Sequence, residues 1–195
     1  MSAKNGGGDI RFSKDAAGTT QFAVDVRSCV TATDPSNGYL EFAVKIDTVW
    51  MSVNTNLYLW WGSSTATLPD SNATYGQYNA YDSDYVGVYP MLASDAFDGT
   101  ASGVRDRTSY QNHGTSEGFS SPTLSTGGIG FSVPFTGTAA EAINLGKTTD
   151  FDFADGLFAL EVLMRNVSET TQRYLVGKWG NGGTWNSWRT YWING

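Results

Sequence analysis

Apolar and polar residues alternate along much of the chain with the period of half-buried strands. The clearest case is Leu40, Phe42, Val44 and Ile46, which fall on one face with Glu41 and Lys45 on the other. A one-residue slip would expose all four apolar side chains, so the register of this strand is strongly specified. Asp9-Ile10-Arg11-Phe12 alternates in the same way, and Phe22, Val24 and Val26 interleave with Asp25 and Arg27. Lys14-Asp15-Ala16-Ala17-Gly18-Thr19 reads as the turn between those two runs. Asp34-Pro35-Ser36-Asn37-Gly38 precedes the third run and combines Pro with Asn-Gly, a strong turn signal. Asn54-Thr55-Asn56 turns again before Leu57-Tyr58-Leu59-Trp60-Trp61-Gly62, an aromatic-rich run of strand length.

The second half is patterned less evenly. Ser63 to Tyr81 is polar and rich in turn residues, and reads as a link between modules. Tyr85, Val86, Val88 and Tyr89 form a short apolar alternating run before a loop rich in Gly and Asp. Gly127-Gly128-Ile129-Gly130 is too dense in glycine for a helix and opens no dinucleotide fingerprint. Phe131, Val133 and Phe135 then alternate as a strand, with Pro134 suited to a sheet edge. Phe158, Leu160, Val162 and Met164 read as the buried face of another strand, whose hairpin partner would be Arg173 to Trp179 across the turn Ser168-Glu169-Thr170-Thr171. Leu157, Leu160, Met164 and Val167 also fit a helical stripe, and no Gly or Pro interrupts that run.

Composition narrows the class. The 195 residues are 40% hydrophobic and 16% charged with 23 Gly, a folded and turn-rich profile. A net charge of −7 and the lack of any basic cluster argue against a nucleic-acid partner. Cys29 is the single cysteine, so no internal disulfide can form, and it reads as a small buried hydrophobe. No stretch approaches the ~18 apolar residues of a membrane-spanning helix. The first residues carry no apolar signal-peptide core. Asn72-Ala73-Thr74 and Asn166-Val167-Ser168 match the glycosylation sequon, a pattern short enough to arise often by chance.

Two segments carry a resemblance. Tyr85 to Thr115 ends its apolar run on Tyr89-Pro90-Met91 and closes on Asp106-Arg107-Thr108-Ser109 and Asn112-His113-Gly114-Thr115. This order resembles the entry of bacterial and phage concanavalin-A-like, laminin-G-like lectin and glucanase domains, in which a strand is followed by an Asp-Ser-Thr and Asn-Gly-Thr turn. Asp150 to Gly156 is similar to the turn before a core strand of the same family. Asp9 to Thr19 and Leu57 to Gly62 resemble an extracellular domain of unknown function that often precedes such lectin-like domains. The resemblance implies an all-β chain: a small β-sandwich-like module over 1–62, a linker over 63–84, and a partial jelly roll over 85–195. Trp188 to Gly195 ends on Asn-Gly, a turn that calls for a strand after it, so the expectation is a piece of a longer polypeptide.

The chemistry-bearing groups are few. Asp150, Asp152 and Asp155 are candidates for paired-carboxylate glycoside hydrolysis. The Glu-x-Asp-x-x-Glu strand of concanavalin-A-like glucanases is missing, however, and Glu161 stands alone. His113 is the only histidine, and no Gly-x-Ser-x-Gly elbow accompanies it. Zinc is excluded by ligand count. Asp95, Asp98, Asp106 and Asn112 offer oxygen donors suited to calcium, which many laminin-G-like domains bind near their loops. Trp179, Trp185, Trp188 and Trp192 crowd the end of the chain beside Asn181 and Asn186, and Trp179, Trp185, Trp188 and Asn186 are the candidate glycan-binding set. The expected function is a non-catalytic recognition module, extracellular or on a virion, such as an adhesin or a phage tail or fibre component. Its ligand would be glycan or a surface protein, with a homo-oligomer or larger assembly as context. The alternatives are a piece of a secreted glycoside hydrolase with its catalytic residues elsewhere, and a structural appendage or virion protein.

Overall fold

The computed structural model describes residues 3–31, 38–127, 129–137, 140–146, 148–153, 156–165, 173–178 and 188–192. The protein is all β, and the only helical element among the described residues is a 3-10 turn, Gln77–Ala80. No helix among them is long and apolar enough to cross a membrane. The chain divides into two compact units, Met1–Gly146 and Lys147–Gly195.

The first unit begins with β1 (Arg11–Ser13), β2 (Gln21–Phe22), β3 (Val24–Val30), β4 (Tyr39–Val44) and β5 (Tyr58–Trp60). β1 lies between β2 and β5 in an antiparallel sheet, with Phe12 opposite both Phe22 and Leu59. The β1–β2 turn is closed by the Asp15 carboxylate, which accepts from the amides of Ala17 (3.0 Å), Thr19 (3.1 Å) and Thr20 (2.7 Å). Gly18 supplies the left-handed residue of that turn at φ +73°. β3 and β4 form an antiparallel pair in which Val24 faces Val44 and Val26 faces Phe42. A bulge between Val26 and Ser28 shifts the register by one residue. The inward face thereby passes to Cys29, which opposes Leu40, while Val30 is turned outward.

Ile10, Phe12, Phe22, Val24, Val26 and Cys29 make one buried cluster, against which Leu40, Phe42 and Val44 pack. The Phe12 and Phe42 rings lie 4.5 Å apart at 32°. The three runs whose alternation was most regular thus build the core, and each large side chain in it contributes about 1.5–3 kcal/mol of burial. Cys29 is buried as expected, and burial raises its thiol pKa.

Residues 63–84, read as a linker, lie within the first unit and are held to it at several points. The Arg11 guanidinium donates to Thr67 O (2.5 Å), the Lys4 ammonium to Ala66 O (2.7 Å), and Val24 N to Tyr75 O (3.3 Å). Beyond them come β6 (Thr115–Glu117), β7 (Ser125–Thr126), β8 (Phe131–Ser132) and β9 (Ala142–Asn144). β6 pairs with β9, and β7 with β8 around the glycine-rich turn. The expected strand at Phe131 is present but ends at Ser132, before Pro134. Tyr85 to Tyr89 belongs to no ladder.

In the second unit β10 (Arg173–Lys178) pairs with β11 (Trp188–Trp192), with a bulge between Tyr174 and Val176. This corrects the expected hairpin, whose other arm was to be Phe158 to Met164. Residues 157–165 are neither strand nor helix, and their apolar side chains stand exposed. The turn at 168–171 and the sequon at Asn166 lie outside the described residues.

Candidate functional site

The loop that carries the resemblance is built around one carboxylate. Asp106 is buried, and its two oxygens receive four hydrogen bonds. Oδ1 accepts from Val88 N (2.9 Å) and Thr108 N (3.0 Å), and Oδ2 from the Thr108 hydroxyl (2.8 Å) and Asn112 N (2.9 Å). Asn112 in turn donates its side-chain amide to Val86 O (2.9 Å), and its own carbonyl accepts from the Tyr89 hydroxyl (2.6 Å). Burial, with the nearby Asp106 charge, pushes the Tyr89 phenol far above its ordinary value. The run from Tyr85 to Tyr89 is therefore held by the Asp106 and Asn112 side chains together with one main-chain bond, Arg107 N to Val88 O (2.9 Å), and by no strand ladder.

A second buried carboxylate joins this loop to the core. Asp25 on β3 has no exposed surface, and Arg107 reaches it with Nη2 at 2.5 Å and Nε at 3.2 and 3.3 Å from its two oxygens. The Tyr81 hydroxyl donates to the same carboxylate at 2.8 Å and accepts from Arg27 Nη2 at 3.0 Å. Arg27 lies 3.6 Å from Asp25 and 3.6 Å from Glu41. Burial and the Asp25 charge drive the Tyr81 phenol well above its usual range. The arrangement holds charge in place without exposing a reactive group, and it has the makeup of a structural clasp.

The expected calcium donors are used differently from one another. Asp106 and Asn112 are brought together, but Asp106 faces N–H and O–H donors on both oxygens. Asp98 accepts from the Thr100 amide (3.1 Å) and hydroxyl (2.6 Å). Asp95 accepts from Leu92 N (3.0 Å) with one oxygen, while the other is buried with no hydrogen bond from the described residues, and burial raises its pKa. No group of three or more His, Cys, Asp or Glu side chains that could hold a metal occurs among the described residues.

His113 accepts from Asp106 N through Nδ1 at 3.1 Å and so belongs to the loop scaffold. In the second unit Asp150 accepts from the Thr148 hydroxyl (2.9 Å), whereas Asp152 is paired with Lys178. Lys178 also donates to Thr148 O (2.8 Å). Glu161 is exposed, and Asp155 lies outside the described residues. Of the C-terminal glycan-binding candidates, Trp179, Trp185 and Asn186 also lie outside them. Trp188 is placed by its backbone alone, opposite Lys178 at the start of β11.

Aromatic surface of another kind stands in the first unit. Trp50 is 64% exposed, Met51 fully so, and Trp61 54%, with Val49, Val53 and Leu57 exposed around them in sequence. Trp60, on β5, keeps 39% of its surface while its indole N–H donates to the buried Ser13 hydroxyl at 2.7 Å. The sequence marked Leu57 to Gly62 as an apolar strand and as part of a resemblance, and assigned it no binding role. The signal for more was the pair Trp60-Trp61, which in a strand point to opposite faces and so cannot both be core where the sheet is packed on one side only. No protein-family model, curated protein or solved structure matches this chain.

Proposed function

We propose that this chain is a non-catalytic recognition module that acts at a cell or virion surface and binds glycan or a surface protein. The observation that supports this reading is the aromatic and aliphatic exposure between Val49 and Trp61. These apolar side chains are exposed in succession along one stretch of chain, where apolar exposure scattered singly would need no explanation. Surfaces of that kind, rimmed by polar residues, mark interaction sites, and Trp is enriched among residues that dominate binding. Asn54, Thr55 and Asn56 interrupt the apolar run with groups able to hydrogen-bond a polar ligand.

The test is binding of the purified chain to a printed array of neutral and acidic glycans, with calcium and with EDTA, and in parallel to intact bacterial cells. Wild-type protein is expected to be retained on glycan or cells, and a Trp50→Ser, Met51→Ser double variant to lose that retention with its melting temperature unchanged. Retention that is absent from both supports, or indifferent to the variant, contradicts the reading. Release of reducing ends from soluble β-glucan by the same preparation would instead favour a hydrolase.

A further inference from the structure

The sheet formed by β2, β1 and β5 has one face in the core and one face outward. The registers place Phe22, Phe12 and Leu59 in one row across the three strands, with Phe22 and Phe12 in the core and Leu59 at the exposed edge of the row. The next row, on the opposite face, is Gln21, Ser13 and Tyr58, and Arg11 with Trp60 follows it. Ser13 nevertheless has no exposed surface. Its hydroxyl donates to Asp15 O at 2.7 Å and accepts from the Trp60 indole. Trp60 therefore spans the sheet's outer face and is fixed there by a buried partner. Its ring also rests against Gly18, where an added Cβ would stand 3.3 Å from Cε2 and Cζ2. With the N–H satisfied inside the protein, the part of this side chain left to solvent is carbon and π surface.

We infer that this face is a saccharide-binding platform on which the exposed Trp60 ring stacks against the C–H face of a neutral sugar, with Gln21 and Tyr58 bonding its hydroxyls. The inference rests on the recognition reading above and names a site and a ligand class for it. Four observations select the ligand. An immobilised indole costs little rotamer entropy to bind against, which favours a ligand held by ring stacking. Gln21 and Tyr58 lie about 10 Å apart across two inter-strand spacings. No partner among the described residues meets the Gln21 amide or the Tyr58 hydroxyl. The Asp15 carboxylate and the Arg11 guanidinium are committed elsewhere. Asp15 is saturated by three amides, and Arg11 donates to the carbonyls of Gly8, Ile10 and Thr67. A cation would therefore find no free carboxylate here, and an acidic sugar no free guanidinium.

The experiment is native affinity electrophoresis of the full chain in gels containing soluble mixed-linkage β-glucan, xylan, galactomannan or polygalacturonate. At least one of the three neutral polysaccharides is expected to retard the wild-type chain, and Trp60→Leu to weaken that retardation about tenfold or more. Because Trp60→Leu also unpairs Ser13, a Gln21→Ala, Tyr58→Phe double variant is run beside it. That variant leaves the Phe22, Phe12 and Leu59 row intact, and is expected to keep its thermal melt while losing about three- to tenfold in retardation. Retardation by polygalacturonate alone, or neutral-glycan retardation unchanged in both variants, overturns the platform. The latter outcome would leave the chain a glycan binder whose site lies elsewhere. Failure of all four gels overturns the platform too, and failure to be retained on intact cells as well would remove the recognition reading with it.

Discussion

Replacing Arg107 with Met would leave the Asp25 carboxylate buried on β3 without its main counter-charge. Three contacts would go with the guanidinium, at 2.5, 3.2 and 3.3 Å. The Tyr81 hydroxyl at 2.8 Å would remain, as would Arg27 at the longer distance of 3.6 Å. Removing one partner of a buried pair costs about 3–5 kcal/mol, chiefly because the other charge stays behind in a low-dielectric site. With a hydroxyl and a second arginine still at hand, the lower end applies, about 3 kcal/mol. For a chain of this length that corresponds to a fall of roughly 6–12 °C in melting temperature. Urea unfolding followed by far-UV circular dichroism would read it, with the m-value unchanged if the native fold is intact. Adding Asp25→Asn to Arg107→Met removes the orphaned charge and should restore about 2 kcal/mol, a coupling visible in the double-mutant cycle. A single variant within about 0.5 kcal/mol of wild type, or a double variant no more stable than the single, would refute the clasp.

Asp106→Ala strips four donors of their acceptor and is expected to cost about 3 kcal/mol, with limited proteolysis moving into the loop between Tyr85 and Thr115. Asp95 carries a folded-state pKa raised by burial, so the native state holds its proton more tightly than the unfolded chain does. Its contribution is full below the ordinary carboxylate value and is lost as pH rises through the raised one. Asp95→Asn should therefore flatten this part of the stability-versus-pH curve and gain on wild type above that window, as urea midpoints across a pH series would show. Gly18→Ala meets both a left-handed backbone and the Trp60 ring. It is expected to destabilise by about 1 kcal/mol and to shift tryptophan emission, and an unperturbed spectrum would contradict the placement of Trp60.

The N-terminal strands were legible because their alternation is regular and their partners are close in sequence. Leu40, Phe42 and Val44 pair with residues of β3 within a hairpin, so local pattern and tertiary packing agree. Asp25 was legible only as the polar member of an alternating strand. Its burial depends on Arg107, which lies 82 positions away, and no local pattern carries that distance. The alternation from Tyr85 to Tyr89 read as a strand because side-chain period cannot distinguish a ladder from a segment held by loop side chains and a single main-chain bond. Phe158 to Met164 carried both strand and helix patterns, and these residues adopt neither. Trp60 was visible as an aromatic in a strand, whereas its place on the same face as Ser13 needed the register with Arg11 and the indole bond to the Ser13 hydroxyl.

The central claim is that the chain recognises a surface ligand through exposed aromatic residues of its first unit, and intrinsic tryptophan fluorescence tests it most directly. The full chain would be titrated with whichever array glycan or cell-surface extract retains it, beside Trp50→Phe, Trp60→Phe and Trp61→Phe variants. A saturable change in emission, lost or reduced in at least one of these three variants, is the predicted result. Saturable binding with an emission change identical in all of them would contradict the account, as would no binding to any glycan or cell surface.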